Sequence, residues 1–299
     1  MSVKRRKRLP QWLRLNLPTD RRFAQTGGRL GTLRLHTVCE SARCPNRWEC
    51  WSRGTATFMI AGDRCTRACG FCAVTTAKPL PLDVEEPKRV AKAVRQMTLK
   101  HVVVTSVARD DLADGGAEHF ARTIRELRAL CGEDLAVEVL TPDFGGRPEP
   151  VETVLAARPD VFNHNIETVR RLSAKVRHRA TYERTLAVLR MASEWIGRSA
   201  NDRRVYVKSG LMVGHGETES EVQETMRDLR AAGCELLTIG QYLQPTPANL
   251  PVVEFVRPEV FVTLRRAALK MGFVHVASAP LVRSSYHADE FKQKTGSGL

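Results

Sequence analysis

Apolar, β-branched residues recur along the chain in short runs, at 55–61, 101–107, 135–140, 160–163, 205–213 and 236–240. Each run has the length of a buried strand. Apolar positions fall at helical spacing over 86–98, 117–131, 149–158, 166–194, 217–232 and 258–271, and the fourth of these segments is long enough for two helices. Such alternation predicts a parallel sheet with right-handed crossovers. Six βα units fall short of the eight that close a barrel, so the expected fold is α/β, a partial (β/α)6 TIM-like barrel. Its wide side would admit a large substrate, and its active site would lie at the C-terminal ends of the strands. Polar residues gather at those ends: Thr105, Ser106, Arg109 and Asp110 after the second run, Asn163, His164 and Asn165 after the fourth, and Gln241 after the sixth.

The flanks break this pattern. Pro10, Pro18, Gly27, Gly28, Gly31 and Pro45 interrupt any period in the opening segment. Residues 1–54 are therefore expected to form an irregular N-terminal extension, ordered mainly by what it binds. The barrel is expected over 55–272 and a C-terminal extension over 273–299. With 299 residues, 42% hydrophobic and 27% charged, the chain reads as a soluble globular protein with one main domain. No apolar run approaches the ~18 residues of a membrane span, and the basic start lacks the apolar region of a secretory signal. A cytoplasmic protein with no membrane partner is expected. The net charge of +14 favours an acidic partner, but its sign does not choose among nucleic acid, an anionic surface and an acidic protein. Part of that charge sits in Lys4, Arg5, Arg6, Lys7 and Arg8, a run whose plainest reading is a solvated tail.

Six of the eight cysteines lie between positions 39 and 72. In a long chain without an export signal, such crowding reads as metal ligation in a reducing compartment rather than as disulfides. The stretch CTRACGFC at 65–72 follows the first strand and presents Cys65, Cys69 and Cys72 from one loop. A cubane 4Fe-4S cluster usually takes four thiolates, so a loop offering three leaves one iron open. Structural zinc is the alternative, but it asks for four protein ligands, commonly as two separated CxxC pairs, and only Cys69 and Cys72 fit one. A second set, Cys39, Cys44 and Cys50 in CESARCPNRWEC, is too widely spaced for a zinc knuckle and is again one ligand short. Cys131 and Cys234 read as small buried hydrophobes. His36, His164, His215 and His287 are left out of the ligand sets.

The 65–72 loop resembles the signature of the radical S-adenosylmethionine (SAM) superfamily. CESARCPNRWEC, the sequence RSSY at 283–286, and the segments at 104–120, 162–168, 209–214 and 276–278 resemble lipoyl synthases in family order, over roughly 10–290. That resemblance implies that the iron left open by Cys65, Cys69 and Cys72 chelates S-adenosylmethionine, whose reductive cleavage yields a 5′-deoxyadenosyl radical. It implies that Ser285 completes a second 4Fe-4S cluster with Cys39, Cys44 and Cys50. It further implies insertion of two sulfur atoms, at the sixth and eighth carbons of a protein-bound octanoyl-lysine, with the second cluster as donor. An alkoxide is a harder, poorer partner for iron-sulfur than a thiolate, which suits a cluster that is dismantled.

Implied partners are octanoylated lipoyl carrier domains (2-oxoacid dehydrogenase E2 subunits and the glycine cleavage H protein), an electron donor such as flavodoxin or ferredoxin, and an iron-sulfur carrier. Thr105, Ser106, Asn163 and Glu167 stand where a partial barrel would contact S-adenosylmethionine, with core or capping roles as the alternative. The chain departs from the family pattern at Gly70, Ala73, His215, Ala279 and 246–249, where a more basic stretch is expected. The rivals are a biotin synthase-like or methylthiotransferase-like enzyme, which would need a different auxiliary site, and a basic nucleic-acid-binding protein. Aromatics of only 6% and the lack of a recognised motif argue against the latter.

Overall fold

The computed structural model describes residues 8–14, 21–52, 56–199 and 203–285. Lys4 to Lys7, the first residue of the 55–61 run, Tyr286, His287 and the remainder of the C-terminal extension lie outside the described residues. The chain opens with α1 (Arg21–Thr32), β1 (His36–Thr37), α2 (Val38–Ser41) and α3 (Arg47–Ser52). β2 (Thr57–Ile60) begins the barrel and is followed by the two-residue strands β3 (Arg64–Cys65) and β4 (Thr75–Thr76), which pair with each other. Then come α4 (Glu86–Gln96), β5 (His101–Ser106), α5 (Ala117–Cys131), β6 (Ala136–Leu140), α6 (Pro148–Ala156) and β7 (Val161–Asn163). The chain continues through α7 (Arg170–Val176), α8 (Tyr182–Arg198), β8 (Tyr206–Val213), α9 (Glu219–Ala231), β9 (Leu236–Gln241), α10 (Pro258–Lys270) and β10 (His275–Ser278).

The main sheet runs β1-β2-β5-β6-β7-β8-β9-β10. All its pairings are parallel except that of β1 with β2. The six expected strands and the helices between them are present, and the 166–194 segment divides into α7 and α8. Side chains alternate along each strand. On β5, Val102 and Val104 join the core beneath the helices, whereas His101, Val103 and Thr105 line the barrel interior. Among the described residues β1 and β10 are the free edges, so the sheet is a partial barrel. Local signals reinforce the helices. Thr218 and Glu221 form a reciprocal capping box on α9, Thr181 caps α8, and prolines open α4, α6 and α10. No helix among the described residues is long and apolar enough to cross a membrane.

Two expectations change. β10 adds a seventh parallel strand inside the segment read as C-terminal extension, pairing Val276 with Leu237; its four residues are too short to register as a run. The N-terminal extension is not irregular over 21–52: α1 runs through Gly27, Gly28 and Gly31, and Gly27 serves helix packing rather than a turn. A side chain at Gly27 would meet the Trp51 ring at 2.8 Å, so its absence lets α1 lie against α3. Phe23 stacks on Trp48 with ring centroids 4.3 Å apart, and the Arg47 guanidinium lies over three aromatic rings.

Candidate functional site

A cavity of about 810 Å³ fills the mouth of the partial barrel, and all six cysteines of the two sets line it together with Ser285, Thr105, Ser106 and Glu167. The first set is fastened to the barrel wall on several sides. Buried Arg67, between Cys65 and Cys69, binds Asp110 at 2.6 Å and the fully buried Asp143 at 2.7 Å. The Thr66 N–H donates to the Ala108 carbonyl at 3.1 Å. Beyond Cys69, the Gly70 N–H donates to the Val176 carbonyl at 3.0 Å, and Asn249 Nδ2 donates to the Cys72 carbonyl at 2.7 Å. Gly70 and the end of the 246–249 stretch meet here, since the Leu250 N–H donates to the Gly70 carbonyl at 2.9 Å.

Burial pushes the Cys69 thiol up to about 11, with the Arg177 charge pulling the other way. Burial likewise pushes Cys72 up to about 12, opposed by the Val74 N–H. The Arg67 N–H points at Cys65 Sγ at 3.4 Å. A half-buried set of three thiols with backbone donors aimed at sulfur and a nearby cation suits an iron-sulfur cluster, whose irons stabilise the thiolates that burial alone disfavours. Among the described residues no three Cys, His, Asp or Glu side chains converge on a point fit for one metal ion. A cubane spreads its ligands around four irons and asks for this wider arrangement.

The second set is assembled from distant pieces. Cys39 lies on α2, Cys50 on α3 and Cys44 between them. Burial pushes Cys39 up to about 11, opposed chiefly by the Thr57 N–H, and it raises Cys44 against the pull of the Arg283 charge. The tail bearing Ser285 enters the barrel under several restraints. Asn46 Nδ2 donates to the Leu281 carbonyl at 2.7 Å, Lys208 Nζ donates to the Ser284 carbonyl at 2.6 Å, and Thr57 Oγ1 donates to Ser285 Oγ at 2.8 Å. A Cβ at Gly240 would collide with the Val282 carbonyl, so only glycine leaves the tail its course. Thr57 touches both Cys39 and Ser285, and so sets the serine beside this set.

Glu167 faces the cavity in a left-handed backbone conformation (φ 66°), held by hydrogen bonds to and from β8 at 2.8–2.9 Å. Burial raises its pKa, while Arg177 and Asn165 act in the opposite direction. A non-glycine residue there stores of order 1 kcal/mol of strain, as functional sites often do. Arg177 is itself buried and donates to the Asn165 carbonyl and, at 3.2 Å, to Thr185. Neighbouring His164 donates from Nδ1 to the Thr141 carbonyl at 2.8 Å, and burial, then Arg177, lowers its pKa to about 4. It is a neutral ring that carries its hydrogen bond without charge.

Thr105 Oγ1 donates to the Leu140 carbonyl at 2.8 Å, while the buried Ser106 hydroxyl has no hydrogen-bond partner among the described residues. For Asn163 the surroundings match the core alternative. Its Nδ2 donates to Glu138 at 3.0 Å, in a buried layer where Lys208 also binds Glu138 at 2.8 Å, and it is not among the residues lining the cavity. Arg177, Thr57 and Lys208 were not singled out from the sequence. Arg177 stands in the break between α7 and α8, and that break was the one local signal available.

A model of the radical SAM superfamily matches residues 59–229, and a model of the N-terminal domain of lipoyl synthase of the radical SAM family matches residues 1–44. The chain is 55% identical to the lipoyl synthase of Symbiobacterium thermophilum, over 97% of this chain and 90% of that one. It is 49% identical to the lipoyl synthase of Bacteroides fragilis, over 97% of this chain and 98% of that one. Among solved structures, methylornithine synthase superposes with a TM-score of 0.52 at 14% identity, covering 77% of this chain and 75% of that one, a likeness of fold alone. With two family models and relatives near half identical along almost its whole length, this chain belongs to the lipoyl synthase family of radical SAM enzymes.

Proposed function

We propose that this enzyme inserts two sulfur atoms into the octanoyl chain of a lipoylated-type carrier domain, with Cys65, Cys69 and Cys72 holding one 4Fe-4S cluster and Cys39, Cys44, Cys50 and Ser285 holding another. The observation that carries the reading is that both sets open on one cavity while Thr57 bonds Ser285 and Cys39 together. When bound, the clusters supply the electron that cleaves S-adenosylmethionine and the sulfur that enters the product.

The chain's own residues bind, orient and exclude water. Glu167 offers a carboxyl group to the amine or ribose hydroxyls of S-adenosylmethionine, its charged form disfavoured by burial and favoured by buried Arg177 and by Asn165. The Thr105 and Ser106 hydroxyls and the Asn165 amide flank the same wall. Met59, Val103, Leu211 and Met212 give the cavity an apolar lining suited to an alkyl chain. The +14 charge suits docking of an acidic carrier domain. Carrier domains of 2-oxoacid dehydrogenase E2 subunits and glycine cleavage H protein, a flavodoxin or ferredoxin as electron donor, and an iron-sulfur carrier that rebuilds the spent cluster complete the reading.

Anaerobically reconstituted protein should hold about eight irons and about eight sulfides per chain. Given dithionite, S-adenosylmethionine and an octanoylated carrier peptide, it should yield a peptide heavier by two sulfurs. Cleavage of S-adenosylmethionine with no sulfur in the peptide would refute the assignment.

A further inference from the structure

We infer that Thr57 is the positioning residue that holds the Ser285 oxygen in register with Cys39, an inference that rests on the two-cluster reading above. Thr57 is buried on β2 at the place where β1 gives way to α2. The β1–β2 ladder pairs Thr37 with Phe58 and stops there, so Thr57, still paired with Val103 of β5, has no partner on β1, and its amide lies on the side of the Cys39 sulfur. Its side chain, on the same backbone unit, reaches Ser285 Oγ at 2.8 Å. One residue thus links a thiol of the N-terminal extension to a hydroxyl lying 228 residues downstream.

The other restraints on the tail act on its backbone. Asn46 takes the Leu281 carbonyl, Lys208 takes the Ser284 carbonyl, and Gly240 leaves room for Val282. Lys208 is fixed in turn by both oxygens of buried Glu138. These contacts bring Ser285 to the cavity but do not aim its side chain, and the hydroxyl contact to Thr57 does. A serine oxygen that binds iron is an anionic acceptor, and a threonine O–H directed at it makes a charge-assisted hydrogen bond that both orients the ligand and lowers its basicity. Without that contact the serine oxygen is free to rotate away, so the corner it closes opens sooner.

The test is the rate at which a chelator removes iron from the anaerobically reconstituted full chain, in wild type, T57V, T57S, S285A and the T57V/S285A double variant. Valine keeps the β-branched shape that β2 requires and removes only the donor, so the fold is retained, and serine returns the donor. T57V should speed the release of the more labile half of the iron by about tenfold, the scale of one charge-assisted hydrogen bond, with T57S close to wild type. In the S285A background T57V should add nothing, because the group it positions is gone. Equal rates in T57V and wild type, or an undiminished T57V effect in S285A, would overturn the role of Thr57 with the two clusters still in place. A wild-type chain that takes up only about four irons would overturn the two-cluster reading itself before any variant is compared.

Discussion

The two cysteine sets face the same cavity and are built in opposite ways. Cys65, Cys69 and Cys72 come from one loop, and everything that fixes them, from Arg67 on Asp143 to Asn249 on the Cys72 carbonyl, belongs to the barrel wall. Cys39, Cys44 and Cys50 ride on α2, α3 and the turn between them, and their proposed partner Ser285 arrives through contacts such as Asn46 to Leu281, 235 residues apart. Closing so long a loop costs entropy that only the folded barrel offsets. The first set is therefore as durable as the fold, and the second is complete only while the tail is seated. That arrangement suits a permanent reagent on one side and a replaceable one on the other.

Replacing single cysteines breaks the comparison most sharply. C69A should abolish S-adenosylmethionine cleavage, since the loop would be left with two thiolates. C44A should still cleave S-adenosylmethionine to 5′-deoxyadenosine, by chromatography, while no sulfur enters the octanoyl peptide. Loss of cleavage in a folded C44A protein would mean that the two sets do not work independently. G240A asks the same question through the tail. Its methyl group collides with the Val282 carbonyl, and relief of such overpacking costs about 1–3 kcal/mol. Displacement of the tail should lower the iron content from about eight toward about four, the first set keeping its share.

The wall beside the first set also carries a pH signature. His164 and His215 have pKa values lowered to about 4, in each case mainly by burial. In the unfolded chain a histidine takes its proton below about 6.5, which the folded chain refuses until about 4. The unfolded state thus binds more protons across that window, and stability rises with pH through it by up to about 1.4 kcal/mol per unit for each ring. Asp143 and Glu138, held near 2 against burial by Arg67 and by Lys208 respectively, add stability that is complete above their unfolded values and lost only in stronger acid. Urea denaturation of the iron-free protein between about pH 4.5 and about pH 6.5 should show the slope, and H164Q should halve it. An unchanged slope in H164Q would remove His164 from the wall's proton balance.

What the sequence made legible follows the same division. The alternating runs and the 65–72 loop are local patterns, and both are where the periodicity and spacing put them. The 39–50 set and the RSSY serine were tied together by resemblance, because no local pattern links residues on opposite ends of a chain. Thr57 and Lys208 were illegible for that reason: each reads as an ordinary strand residue until the sheet brings a tail carbonyl or hydroxyl to it. For Asn163 the sequence left a core role open beside a cofactor contact, because a polar side chain at a strand end gives no sign of its depth; its amide bonds Glu138 of the preceding strand in the buried layer. Gly27 reads as a break because a close helix contact and a turn call for the same residue.

The smallest expected effect separates the two sets at the level of one hydrogen bond. Asn249 reaches the Cys72 carbonyl at 2.7 Å and the Gly70 carbonyl at 3.3 Å, and its own Oδ1 is fixed by Thr246 Oγ1 at 2.7 Å. It therefore clamps the last turn of the first loop from outside. Loss of such a contact costs about 1 kcal/mol, so N249A should release iron from the first set about fivefold faster while leaving the pool closed by Ser285 at its wild-type rate. Equal acceleration of both pools would mean that Asn249 supports the cavity as a whole, and the independence of the two sets would be lost at the point where the 246–250 loop touches the barrel.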